Sequence, residues 1–366
     1  MAVKLLSLRF SSFDLKPFKP VLRFTIERIL LIVDHLIRYQ IRLQVKIDMR
    51  PLKSGLYVPT VCFFDQVTEE LDTSKIASHT LRLAEAGVSG IATQGSTGEA
   101  VHLNHTERAA VTQTTRAALD EAGYTHLPII VGCSAQSVRE TLTLCRQAHI
   151  SGGDYALLLP PNYYSTYFQP AADSIIEFFL AVADQSPIPI IIYNYPSAVS
   201  GIDLSSEVII QLSTHPKIIG VKLTCGNTGK LNRIVAATAT HNKDITLDSD
   251  FRFLVFGGSA DFTIQSLIGG AHGVLAGLAN IAPKACARVI RLYNGGQMTE
   301  ALRLQQIVAR GDWVAIQSGV PGLKAGMQSW LGYGGNARSP LPKLNFEQFS
   351  KLHKDFLELM DLENEF

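Results

Sequence analysis

From Gly55 onward two kinds of segment alternate. Short apolar runs rich in β-branched residues recur at Leu56–Phe64, Gly90–Gln94, Pro128–Cys133, Tyr155–Pro160, Ile188–Tyr193, Ile218–Thr224, Ile245–Asp248 and Gly273–Gly277. Between them lie amphipathic stretches: Thr73–Ala86, His105–Ala122, Ser137–His149, Pro170–Asp184, Leu204–Ser213, Gly229–Thr240 and Ser259–Ile268. Strand-helix alternation predicts a parallel sheet covered by helices. Eight repeats over about 230 residues suit a closed (β/α)8 TIM barrel better than an open doubly wound sheet. No G-x-G-x-x-G follows the first run, which also counts against a dinucleotide fold. Asn104 with Glu107 reads as a capping box, and Pro170 suits a first helical turn.

The pattern divides the chain into three parts. Residues 51–280 hold the barrel. Residues 281–366 add helical stretches near Ile281–Tyr293, Thr299–Arg310 and Glu347–Met360, a C-terminal helical appendix suited to oligomerisation. Residues 1–50 stand apart as an N-terminal extension. They carry ten Lys and Arg against four acids, a net of +6 that leaves about −5 for the rest of a chain of net +1. A basic leader of mitochondrial type and an upstream extension of the gene, with Met49 as the working start, are both open readings. A cytoplasmic enzyme is the primary expectation and a mitochondrial one the alternative. The near-neutral balance gives no support for a nucleic-acid partner. The longest apolar run of the extension, Ile29–Val33, is far short of the ~20 residues of a membrane span. Five scattered cysteines without a C-x-x-C argue against a disulfide framework or a zinc site and for a reducing compartment.

Candidate chemistry is sought where strands of a barrel end. Lys222 interrupts the apolar run Ile218–Thr224. The other lysines between Gly55 and Pro283 (Lys75, Lys217, Lys230 and Lys243) fall in helical or turn contexts, where an ammonium stays solvated. A lysine at a strand end can simply snorkel to water or pair with an acid. In a barrel interior, desolvation instead favours a neutral amine, which can form a Schiff base with a carbonyl. Tyr193 ends the preceding strand. Neighbouring strands lie ~4.8 Å apart, so its phenol is expected within hydrogen-bond range of the lysine as a proton carrier. Gly95-Ser96-Thr97-Gly98 follows the second strand; it is either an ordinary Gly-rich turn or a loop whose amides and hydroxyls hold an anion. Gly257-Gly258-Ser259 is a weaker candidate of the same kind. His102 and His105 lack a third ligand nearby in sequence, so no metal site is assigned. "GVPGLKAGM" and "GYGGNARSP" read as C-terminal turns. No G-x-S-x-G elbow or Walker loop is present.

Taken together, "GSTGE" (95–99), "YNYP" (193–196), "GVKLTCGN" (220–227) and "GGAHGVLAGLANIAP" (269–283) resemble the dihydrodipicolinate synthase/N-acetylneuraminate lyase family of pyruvate-dependent class I aldolases. The resemblance covers roughly Gly55–Leu344. It implies that Lys222 is the Schiff-base lysine and Tyr193 the proton-shuttling tyrosine. It further implies that Ser96 and Thr97 bind a 2-oxo acid carboxylate, with Thr97 also in the proton relay. Tyr163, or Tyr164 in another register, matches a tyrosine lent to a neighbouring subunit's site. Gly258 and Leu275 match positions lining the pyruvyl pocket. The family needs no metal or organic cofactor and is commonly a tetramer built as a dimer of dimers. Dihydrodipicolinate synthases place an arginine after their tyrosine motif to bind a distal carboxylate. Here the sequence reads Tyr193-Asn194-Tyr195-Pro196-Ser197-Ala198-Val199, which points to a neutral aldehyde such as glyceraldehyde. The chain looks most like fungal-type members that cleave 2-keto-3-deoxy sugar acids such as L-threo-3-deoxy-hexulosonate, with 4-hydroxy-2-oxoglutarate aldolases close by. The alternatives are a pyruvate-condensing synthase, an N-acetylneuraminate-type lyase, a dehydratase on the same Schiff base, and a non-catalytic binder of 2-oxo acids.

Overall fold

Eight parallel strands close on themselves in the order β1 to β8 in a computed structural model that describes residues 50–168, 172–241 and 253–366. The strands are β1 Gly55–Pro59, β2 Gly90–Thr93, β3 Ile129–Gly132, β4 Tyr155–Leu158, β5 Ile190–Asn194, β6 Ile218–Leu223, β7 Leu254–Gly257 and β8 Gly273–Leu275. The intervening helices are α1 Thr73–Glu85, α2 His105–Glu121, α3 Val138–Ile150, α4 Asp173–Gln185, α5 Ser206–Leu212, α6 Thr228–His241 and α7 Thr263–Ile268. This is the (β/α)8 barrel expected from the alternation. One strand is corrected: the seventh place in the ladder belongs to Leu254–Gly257, which pairs with both β6 and β8. The run Ile245–Asp248 lies outside the described residues, as do Pro170 and residues 1–49 of the N-terminal extension.

Burial on both faces explains why the strands read as continuous apolar runs. Their outward side chains join the helices in one large core. Their inward side chains form a second core of Tyr57, Ala92, Ile130, Tyr155, Leu157, Ile191, Tyr193, Leu254, Phe256 and Leu275. The helices start where side chains satisfy the first free amides. Asp72 caps α1, Ser137 caps α3 and Ser205 caps α5, and Asn104 and Glu107 form the expected capping box of α2.

Four helices follow the barrel: α8 Pro283–Asn294, α9 Met298–Leu331, α10 Phe346–Asp355 and α11 Leu357–Asn364. The segment "GVPGLKAGM", expected to turn, lies inside α9. The helix is broken at Gly319 (φ 61°, ψ −160°) and resumes at once. Pro321 falls in the first turn of the resumed half, where a missing N–H costs little. Glu363 from α11 accepts the amides of Lys284 and Ala285 at the start of α8, so the last helix seals the first of this group.

Candidate active site

Lys222 reaches the barrel interior because of one irregularity. Ile190 of β5 pairs with Ile218, but Ile191 pairs with Gly220, so Ile219 is an extra residue in β6. An extra residue reverses the side-chain parity beyond it. Without the bulge Lys222 would lie opposite Asn194, which faces the helices. With it, Tyr193, Lys222 and Phe256 stand in register on β5, β6 and β7, all inward. Gly220 is needed here: a Cβ would meet the Leu254 carbonyl oxygen at 2.6 Å.

Lys222 is 4% exposed and Tyr193 equally so. The lysine Nζ lies 4.1 Å from the centroid of the Tyr193 ring, over its face. The expected hydrogen bond between amine and phenol is therefore corrected to a face-on cation–π contact. The cause is packing: Tyr195 stacks on Tyr193 at 5.7 Å and 21°, fixing the ring plane. Among the described residues neither the lysine amine nor the Tyr193 hydroxyl has a hydrogen-bond or ion-pair partner. Burial, with the neighbouring Tyr193 phenol adding to it, raises the pKa of Tyr195 above the usual phenol range.

The Gly95–Gly98 loop lies on the opposite wall, since β2 and β6 are four strands apart in the closed order. Ser96 is exposed and Thr97 half-buried. The Thr97 hydroxyl would be 3.6 Å from a Cβ on Gly277, just beyond β8, so it faces the end of the strand that carries Leu275. Leu275 is fully buried in the inner core. Gly258 closes the ring of loops: a Cβ there would come within 2.0 Å of the Thr224 hydroxyl. The structure thus gathers Lys222, Tyr193, Thr97, Gly258 and Leu275 at one barrel end. Tyr163 does not join them within the chain. Its ring is 78% exposed on the loop after β4 and packs edge-on against Tyr164 at 5.0 Å.

Several residues that hold this mouth together escaped the sequence reading. Glu99, the last letter of "GSTGE", is buried with φ 52° and pairs with Lys324 of α9 at 3.1 Å. Asn280 accepts the Val61 amide and donates to the carbonyls of Pro59 and Gly277, pinning the ends of β1 and β8; His79 bonds it from α1. Asp312 of α9 accepts from Ser259 and from the amides of Ala260 and Asp261 after β7. Its burial pushes the pKa up to about 6. Lys230, expected to be solvated, is instead 4% exposed and paired with Asp203, which also accepts from the Asn194 amide. Glu99 and Asn280 lie within the family-like motifs, whereas Lys324 falls in the stretch "GVPGLKAGM" that reads as a turn; Asp312 and Lys324 carry no local signal because helical spacing alone does not show which helix face meets a loop. His102 lies 3.4 Å from Glu99, and His105 pairs with Glu140 at 2.7 Å. A separate concavity of about 330 Å³, lined by Phe63, Phe64, Pro321 and Phe349 among others, lies between the β1 loop and the C-terminal helices. Its polar groups are already engaged, Gln66 with Asn336 and Lys75 with Asp72.

Residues 53–358 match the dihydrodipicolinate synthetase family. The chain belongs to that family. Among members, a protein named 4-hydroxy-2-oxoglutarate aldolase, mitochondrial, from Emericella nidulans is 50% identical over 316 residues, 86% of this chain and 98% of the relative. An L-threo-3-deoxy-hexylosonate aldolase from Aspergillus niger is 43% identical over 325 residues, 86% of this chain and 97% of the relative. The crystal structure of a dihydrodipicolinate synthase family protein from Coccidioides immitis superposes with a TM-score of 0.75 at 30% identity, covering 86% of this chain and 98% of that one. This family member is therefore an enzyme of the aldolase (lyase) type. Among its described residues no helix is long and apolar enough to cross a membrane.

Proposed function

We propose that this enzyme is a Schiff-base aldolase that splits a 4-hydroxy-2-oxo acid into pyruvate and an aldehyde. The observation that carries the reading is the in-register pair on β5 and β6, a buried lysine amine over the face of Tyr193. Lys222 attacks the C2 ketone, and loss of water gives an iminium that acts as an electron sink. The substrate carboxylate lies across the mouth on the Ser96-Thr97 loop, with Gly258 and Leu275 shaping the pyruvyl pocket. Tyr193, relayed through Thr97 and Tyr163, takes the proton of the C4 hydroxyl. The C3–C4 bond then breaks, its electrons passing into the iminium to leave an enamine. Protonation at C3 and hydrolysis release pyruvate and free Lys222. The water lost on forming the iminium is balanced by the water consumed in its hydrolysis.

The preferred substrate is a 2-keto-3-deoxy sugar acid such as L-threo-3-deoxy-hexulosonate. Residues 194–201 supply no arginine or lysine for a second carboxylate. The polar groups linking the β3, β4 and β5 loops are neutral: Gln136 bonds Asn162, which reaches the Ser200 hydroxyl. 4-Hydroxy-2-oxoglutarate is the second reading, favoured by the 50% identical relative of that name. Pyruvate release measured over both substrate types separates them. Borohydride with pyruvate should fix a covalent adduct on Lys222, and an unmodified Lys222 would refute the mechanism.

The exposed Tyr163 is read as serving the site of a neighbouring copy, in a tetramer built as a dimer of dimers. Sedimentation of the protein tests this, and a fully active monomer would exclude it. For location, the excess of basic residues in 1–50 and the Emericella nidulans relative's name support the mitochondrial alternative over the cytoplasmic one. Imaging the full chain tagged at its C-terminus decides between them.

A further inference from the structure

We propose that Lys324 and Glu99 are a positioning pair, a buried ion pair through which the C-terminal helix α9 holds the Ser96-Thr97 loop in the shape that receives the substrate carboxylate. The inference deepens the function above and rests on that reading of the loop. Glu99 is two residues past Thr97. Its backbone is left-handed, with φ 52°. Both carboxylate oxygens are engaged from the C-terminal region: Oε1 by Lys324 Nζ at 3.1 Å, Oε2 by the Arg338 amide at 2.8 Å. Both side chains are 0% exposed. The Lys324 amine also lies 4.6 Å from the Phe64 ring of the β1 loop. On the other side the loop is pressed against β1, where a Cβ on Gly98 would meet the Thr60 carbonyl at 2.8 Å. The loop is thus fixed from two directions, by β1 and by α9.

Stability alone does not account for such a pair. Two apolar residues of matching volume hold a core at least as well as a buried ion pair. A charge-assisted bond adds direction, fixing where the backbone of residues 95–99 lies. The same helix treats a second mouth loop alike. Asp312, before the break at Gly319, accepts from Ser259, Ala260 and Asp261 directly after Gly258. Burial lowers the pKa of Lys324, and the Glu99 carboxylate opposes that shift.

The test compares the full-length protein with K324M by hydrogen–deuterium exchange and by pyruvate-dependent borohydride trapping. Amides of 95–100 should exchange about tenfold faster in K324M, with β6 unchanged, because only the local tie is lost. The pyruvate concentration for half-maximal trapping should rise about tenfold, while the limiting rate changes less than about threefold. A variant that only loses stability would show exchange rising across the whole barrel. If K324M does not fold, E99Q/K324M removes both charges and leaves neither unpaired; it should regain thermal stability yet keep the raised pyruvate requirement. Unchanged exchange at 95–100 in a folded variant overturns the proposal. Wild-type protein that pyruvate and borohydride fail to modify sinks the aldolase reading instead, and the exchange comparison still decides the role of the pair.

Discussion

The base and the mouth of the barrel are both built around buried tyrosines, with opposite outcomes. At the base, Tyr57 donates its hydroxyl to the Lys53 carbonyl at 2.8 Å and accepts the Lys53 amide at 2.9 Å; Tyr155 donates to the Arg50 carbonyl at 2.7 Å. Burial raises both phenols well above their usual range. Phe256 packs edge-on against Tyr57 at 5.3 Å, and the strand-entry segment closes the end. These hydroxyls are satisfied, and their protons are held in hydrogen bonds to backbone carbonyls. At the mouth, Tyr193 is buried as well, but its hydroxyl has no hydrogen-bond partner among the described residues, and a lysine covers its ring. Burial alone therefore does not mark a reactive tyrosine. What separates the two ends is whether backbone is close enough to satisfy the hydroxyl.

That contrast can be broken most severely at Lys222. Lys222→Ala should abolish both turnover and borohydride trapping while the barrel still folds; measurable trapping at another lysine would remove Lys222 from its role. The next largest effect falls on Tyr193→Phe. Its turnover should drop by roughly 10²–10⁴ with little change in melting temperature. Tyr155→Phe should do the reverse, losing about 1 kcal/mol of stability through the unpaired Arg50 carbonyl and keeping its rate. Parallel kinetics and melting curves of the two variants test the comparison directly, and equal losses of activity would end it. Gly258→Ala should come third. Its Cβ would crowd Thr224, at a cost of about 1–3 kcal/mol typical of overpacking, and displace the end of β6. Substrate affinity should weaken more than stability, which a titration alongside thermal melting would reveal.

The effect furthest from catalysis concerns pH and stability alone. Asp312 has a folded pKa of about 6, above the ordinary carboxylate value of 3.8, chiefly because it is desolvated. Between those values the folded state binds more protons than the unfolded one. This group's contribution to stability therefore grows as pH falls through 6 and levels off below about 4. The advantage of wild type over Asp312→Asn should increase on going from pH 7 to pH 4, by an amount on the order of 2 kcal/mol. A difference independent of pH would mean that Asp312 does not titrate in this window.

How far the site was legible follows from where each residue sits. Lys222 stood out because a charged residue interrupts an apolar strand. Lys324 is buried more completely, yet it lies in a helix, where lysines are ordinary, and inside a Gly/Pro-rich stretch that reads as a turn. Pro321 misleads there because a proline at a helical first turn looks, in sequence, like one in a loop. Lys230 misleads in the opposite sense: its helical setting suggests water, but α6 presents it to Asp203. Tyr163 was legible only through the family resemblance, and within one chain its ring remains exposed.

The sequence by itself determined the alternation of buried strands and amphipathic helices, hence a barrel. It also determined the residue types at the strand ends, hence a lysine, a tyrosine and a Gly-flanked hydroxyl loop at one rim. Only the tertiary structure decided that they face one another. The extra residue at Ile219 changes the parity of β6 and turns Lys222 inward beside Tyr193. No local pattern encodes that register, because it depends on Gly220 letting β7 approach closely. The same holds for Glu99 and Lys324, 225 positions apart, whose pairing exists only where α9 packs across the mouth. Local propensity fixes which face of an element is apolar; the pairing of polar groups across the chain waits for packing to bring them together.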